Sequence, residues 1–173
     1  RVYELNGTGT GTEWIKLGDD IDGEANNDGS GYSVSLSSEG SRVAIGATGN
    51  DDNGSGAGHV RVYEWNETGT QWEKVGQDID GEAANDLSGY SVSLSSDGSR
   101  VAIGATRYSG GSQNNGAGYV SVYELSGTGA NAQWNILAQI DGDATGDKFG
   151  QSVSLSDNGS RVAIGAPNND EGY

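Results

Sequence analysis

The chain has no cysteine, so no disulfide or thiol contributes to it, and packing or metal must supply its stability. Histidine occurs once, at His59. With no Gly-x-Ser-x-Gly elbow either, acyl transfer has little to draw on. Basic residues are scarce: 9 Lys and Arg stand against 25 Asp and Glu, a formal net charge of −16. Such a surface repels phosphate backbones and anionic lipid and suits cations and basic partners. Apolar runs fall well short of the ~18 residues a spanning helix requires. Neither nucleic acid nor membrane insertion is therefore expected. Only 32% of residues are hydrophobic, a level that with high charge can signal disorder. Here the apolar residues sit in short alternating runs repeated in phase, which disorder has no reason to keep.

What the chain has in abundance is repetition. Gly31-Tyr-Ser-Val-Ser-Leu-Ser-Ser-Glu-Gly-Ser-Arg-Val-Ala-Ile-Gly-Ala47 returns almost unchanged from Gly89 to Ala105 and again from Gly150 to Ala166. A second phrase interleaves with it, at Val2-Tyr-Glu4, Val62-Tyr-Glu64 and Val122-Tyr-Glu124. A period of about 60 residues made of short strands and turns implies one supersecondary unit stacked on copies of itself.

Each unit reads as four strands. Tyr32-Ser-Val-Ser-Leu-Ser37 alternates apolar and small polar residues, the pattern of a half-buried strand. A tight turn follows at Ser38-Glu39-Gly40, Ser96-Asp97-Gly98 and Asp157-Asn158-Gly159. The run Arg42-Val-Ala-Ile-Gly-Ala47 is apolar throughout, as in a strand covered on both faces, and its glycine allows a neighbouring sheet to approach. Gly58 to Trp65 and Gln71 to Gly76 supply the third and fourth strands. Trp14, Trp72 and Trp134 recur in the fourth strand and are assigned to packing between units. Arg42, Arg100 and Arg161 recur before the second strand, where pairing with a carboxylate or lying over a neighbouring unit is expected.

These residues resemble the FG-GAP family, the repeats of the integrin α-subunit head. Phe149-Gly150 opens the first strand of the third copy and Gly165-Ala166-Pro167 closes its second; the earlier copies have Gly31-Tyr32 and Gly46-Ala47-Thr48, and Gly89-Tyr90 and Gly104-Ala105-Thr106. The resemblance implies an all-β chain, a β-propeller of four-stranded antiparallel blades, working extracellularly in adhesion or ligand recognition. WD-repeat blades share the turn but close on a Trp-Asp dipeptide that is missing here. The family's calcium loop between the FG and GAP strands is also missing. That connection is too short in this chain for the roughly six to eight oxygens calcium takes.

The expected organisation is a partial propeller of units 1–60, 61–120 and 121–173, about three blades' worth: two complete blades and two half-blades. Propellers close with about four to eight blades. The chain is therefore expected to be part of a larger propeller, or to assemble with further copies.

The most specific polar pattern precedes each first strand. Its candidate calcium ligands are Asp22, Glu24 and Asp28, then Asp80, Glu82 and Asp86, then Asp141, Asp143 and Asp147. Alternating carboxylates around a glycine can converge on one hard cation. Asp also makes such loops without metal, by accepting main-chain N–H groups. After the Gly-Ala of each second strand the copies differ, and variation on a constant scaffold is where recognition sits. Asp51, Asp52, Arg107 and Tyr108 are the candidate ligand contacts. His59 takes the place of Tyr119 and Tyr173 and reads as a strand residue. Asn6, Asn53, Asn66 and Asn158 stand in glycosylation sequons.

Carboxylates that recur in every copy do not read as a catalytic pair, since an enzyme needs one site rather than three. Two functions are expected. The first is an extracellular, non-catalytic recognition or adhesion module binding a protein or glycan, with calcium as the cofactor its loops admit. The alternative is a structural unit of a coat, appendage or matrix whose partners are other blades.

Overall fold

The computed structural model describes residues 1–106 and 116–169. Its regular structure is all-β, with two short 3-10 turns at Gly9–Gly11 and Gly129–Asn131 and no α-helix among the described residues. The strands form four successive antiparallel sheets. A hairpin comes first, β1 (Tyr3–Asn6) with β2 (Glu13–Lys16). The second sheet holds β3 (Ser33–Leu36), β4 (Arg42–Ala47), β5 (His59–Asn66) and β6 (Gln71–Lys74), each paired with the next. A short β7 (Ile79–Asp80) pairs with the start of β5. The third sheet repeats this order with β8 (Ser88–Leu94), β9 (Arg100–Ala105), β10 (Tyr119–Ser126) and β11 (Gln133–Asp141). A hairpin of β12 (Ser152–Leu155) and β13 (Val162–Gly165) follows.

The expected turns are present. Gly40, Gly98 and Gly159 have φ of 68°, 65° and 62°, which glycine adopts without cost. Of the acids that open the polar pattern before each first strand, Asp80 lies on β7 (Ile79–Asp80) and Asp141 ends β11, whereas Asp22 lies outside the strands. Burial of Ile79 favours the pairing of β7. Gly76, at φ 76°, separates β6 from β7. The corresponding stretch of β11 has no glycine and is one residue shorter, so its strand runs on, with a register shift opposite Val122 and Tyr123.

Successive sheets stack face to face through contacts that repeat with the sequence. A Cβ on Gly46 would stand 2.2 Å from the Gly89 carbonyl oxygen, and one on Gly104 would stand 2.1 Å from that of Gly150. Only glycine allows that approach. Beside it the Ser33 hydroxyl donates to the Gly89 carbonyl at 2.7 Å, and Ser91 to Gly150 at 2.8 Å. Main-chain N–H groups of Leu94 and Leu155 donate to the hydroxyls of Ser35 and Ser93, at 3.0 and 2.9 Å. The polar halves of β3 and β8 thus each bond to the next sheet.

Its apolar half makes the core. Val92 and Leu94 of β8 pack on Ala44, Val60 and Val62 of the sheet before. Val153 and Leu155 of β12 pack in turn on Ala102, Val120 and Val122. Trp72 donates its indole N–H to the Leu17 carbonyl at 3.0 Å, and Trp134 to that of Val75 at 2.9 Å. Trp72 and Trp134 thus join consecutive units, as expected, whereas Trp14, on the first hairpin, is 68% exposed. In β3 the equivalent apolar side chains are exposed, Val34 at 65% and Leu36 at 49%, because the hairpin before it lacks strands to cover them.

Candidate metal and recognition site

Asp28, Asp86 and Asp147, the last acid of each candidate calcium loop, are buried. Each carboxylate has a structural partner. Asp28 Oδ2 accepts from the Ala25 main-chain N–H at 3.2 Å and the Asn50 amide at 3.4 Å. Asp86 Oδ2 accepts from the Ala83 N–H and the Tyr119 hydroxyl, both at 3.0 Å. Asp147 Oδ2 accepts from the Asn169 amide at 3.0 Å. A buried carboxylate bound in this way fixes the turn. The Tyr119 hydroxyl also accepts from the Glu82 N–H at 3.4 Å. Its pKa is raised, first by burial and then by the Asp86 charge.

The remaining candidate ligands Asp22, Glu24, Asp80, Glu82, Asp141 and Asp143 are exposed. Among the described residues, the three acids of one loop do not bring ligand atoms within 4.8 Å of one another. The groups that do gather draw on different loops and share His59: Glu24 with His59 and Asp78, and Asp52 with His59 and Asp80.

His59 is the first residue of β5, as expected of a strand position, and is only 1% exposed. Asp80 is its register partner on β7, which places the two side chains on one face of the sheet. Its Nδ1 has no hydrogen-bond partner. Glu24 Oε2 lies 3.9 Å from it and Asp80 Oδ1 4.0 Å, both beyond hydrogen-bonding range. Arg61 holds the other oxygen of Glu24 at 3.3 Å, and Lys74 holds Asp78 at 2.6 Å. The Asp80 side chain is 42% exposed, and the partial burial of its carboxyl raises its pKa, an effect that His59 partly offsets. Sequence reading missed this cluster because its members come from three separate segments. The available signal was the histidine itself, a departure from tyrosine found in one copy only.

The loop joining β4 and β5 carries Asp51 and Asp52, both exposed. Asp51 Oδ1 accepts from the Gly56 N–H at 2.7 Å, and the Asp52 N–H donates to Asn50 Oδ1 at 3.1 Å. Arg107 and Tyr108, the candidate contacts of the next copy, lie outside the described residues.

The sequon asparagines differ in surroundings. Asn6 is exposed at the end of β1. The Asn53 amide donates to the carbonyls of Gly81 at 2.7 Å and Glu82 at 3.3 Å. Asn66 donates to Glu73 Oε1 at 2.8 Å, and its Oδ1 accepts from the N–H groups of Thr68 and Gly69, both at 3.0 Å. Asn158 uses only its Oδ1, which accepts from the Ser156 hydroxyl and the Ser160 N–H, both at 3.1 Å.

Residues 133–173, from β11 onward, match the sequence model of the FG-GAP repeat, which bears out the resemblance over that segment. No curated protein matches the chain. No helix among the described residues is long and apolar enough to cross a membrane.

Proposed function

We propose that this chain, which carries an FG-GAP repeat, is a run of propeller-type blades in an extracellular, non-catalytic recognition or adhesion module. FG-GAP repeats are typical of extracellular proteins and are typically non-catalytic, which supports both parts of the reading. The observation that carries it is the division of labour within the unit. The repeated serines, glycines and tryptophans are consumed in contacts between sheets. The segment after each second strand is free to differ, and in the described copy it exposes Asp51 and Asp52. A protein or glycan bearing basic groups suits that surface and the net charge of −16.

Calcium enters the reading as a stabiliser of the acidic loops. Asp22 and Glu24, and Asp141 and Asp143, keep exposed oxygens of the type a hard cation takes. A melting curve tests this part: EDTA lowers Tm and calcium, not magnesium, restores it. No shift on chelation removes calcium from the account.

The exposed apolar side of β3 favours a second reading, in which the partner is a further blade from this or another chain. One experiment separates the two readings. The isolated chain is screened on glycan and protein arrays while its solution mass is followed with concentration. Saturable binding to one ligand class supports recognition. Growth in mass with no ligand supports a self-assembling structural unit.

A further inference from the structure

The structure assigns a second kind of cation to this chain: we infer that Asp52, His59 and Asp80 form a site for a divalent transition metal such as zinc, bound through the buried His59 Nδ1. The site shares Asp80 with the second candidate calcium loop and Asp52 with the candidate recognition surface, but it depends on neither reading.

The neighbouring unit fills the same place with a different residue. There Tyr119 starts the third strand, and its hydroxyl reaches the buried Asp86 at 3.0 Å. His59 occupies that position in the preceding unit, and its shorter ring makes no such bond. Asp28, the counterpart of Asp86, takes the Asn50 amide instead. The imidazole is left with Nδ1 buried and unsatisfied, a costly state for a polar nitrogen. Carboxylates surround it in place of a donor or acceptor at bonding distance.

The distances suit an ion between them. Asp52, His59 and Asp80 each offer one ligand atom within 4.8 Å of the others. Nδ1 and Asp80 Oδ1 stand 4.0 Å apart. Zinc holds nitrogen and oxygen at about 2.0–2.2 Å, which in a tetrahedron places neighbouring ligands about 3.4 Å apart. Nδ1 and Asp80 Oδ1 close that gap with a shift of roughly half an ångström, and the pairs with Asp52, which lie within 4.8 Å, with at most about 1.4 Å, within reach of side-chain rotation in two exposed aspartates. Imidazole with carboxylates is the donor set of a transition ion, whereas calcium takes oxygen alone.

Of the two triplets that share His59, this one has the freer carboxylates. Glu24 and Asp78 are each already paired with a cation, Arg61 and Lys74. Glu24, with one oxygen fixed by Arg61, keeps the other 3.9 Å from Nδ1 and adds negative charge. Three protein ligands leave a fourth position for water.

Zinc titration of the full chain near pH 7, by calorimetry and with cobalt as a visible-absorption probe, tests the site. The expected result is one tight equivalent, with tetrahedral cobalt absorption. His59→Tyr, which copies the residue of the neighbouring unit, removes that equivalent. Asp80→Asn and Asp52→Asn weaken it at least about tenfold, and Glu67→Gln, at an exposed position between β5 and β6, leaves it unchanged. Nitrogen NMR of the imidazole gives a readout that does not depend on how His59→Tyr folds: zinc shifts Nδ1 in the native chain and much less in Asp80→Asn. The inference is overturned if the folded native chain takes up no zinc, if His59→Tyr binds it as well as the native chain, or if the Nδ1 resonance does not move.

Discussion

Arg42 binds one oxygen of Glu64 with two nitrogens, Nε at 3.0 Å and Nη2 at 2.8 Å, and spends a third, Nη1, on the Gly98 carbonyl of the next unit at 3.2 Å. Arg100 repeats the arrangement on Glu124 and on the Asn158 carbonyl. One guanidinium thus ties the second strand to the third within a sheet, and that sheet to the turn of its neighbour. Arg42→Lys keeps the charge and loses the fork. With Glu64 half exposed, the expected loss is about 1 kcal/mol, or a fall in Tm of roughly 2–4 °C. A calorimetric scan reads it.

Gly104→Ala places a methyl against the Gly150 carbonyl, where a Cβ has no room. Overpacking of this kind costs about 1–3 kcal/mol or more. Gly11→Ala is the control, because a Cβ there meets nothing within 4 Å. Urea unfolding should show a large drop in midpoint for the first variant and almost none for the second.

The Asp97 carboxylate accepts from the Ser99 N–H at 2.9 Å and from the hydroxyls of Ser95 and Ser99, which hold its pKa at about 2. The folded value lies below the ordinary carboxylate value, so this contribution to stability is complete above about pH 4 and is lost as pH falls toward 2. Asn158 fills the same turn in the last unit without a charge. Asp97→Asn should therefore fold, with a shallower loss of stability between about pH 4 and pH 2 than the native chain. Denaturant midpoints at the two ends of that window are the comparison.

A glycan on Asn53 would disturb an amide that donates to both Gly81 and Glu82. Asn6, exposed at a strand end, carries no such burden. Expression through a eukaryotic secretory pathway followed by peptide mass spectrometry should find Asn53 the least occupied of the four sequons and Asn6 among the most.

The fold was legible because the repeat prints its own boundaries. Ser-x-Ser alternation, an acidic or Asn residue before glycine, and an apolar run ending Gly-Ala each correspond to an observed strand or turn. Identity among copies also separated scaffold from surface, and Trp72, Trp134, Gly46 and Gly104 do join units. The site was less legible. Letters could not say that Asp86 is spent on Ala83 and Tyr119, or that Asp80 sits on a strand opposite His59, because both depend on segments brought together by folding.

The central claim is that the repeated sheets stack in register, each on the next. The main chain states it most simply: the Ser38 N–H donates to the Ser96 carbonyl at 2.9 Å, and the Ser96 N–H to that of Asp157 at 2.8 Å. Because the chain has no cysteine of its own, paired cysteines at these turns give a clean reading. The account predicts that Ser38→Cys with Ser96→Cys, and Ser96→Cys with Asp157→Cys, form intramolecular disulfides readily in dilute solution, while Ser38→Cys with Asp157→Cys does not. Failure of both adjacent pairs in a folded chain, or equal cross-linking of all three, would contradict it.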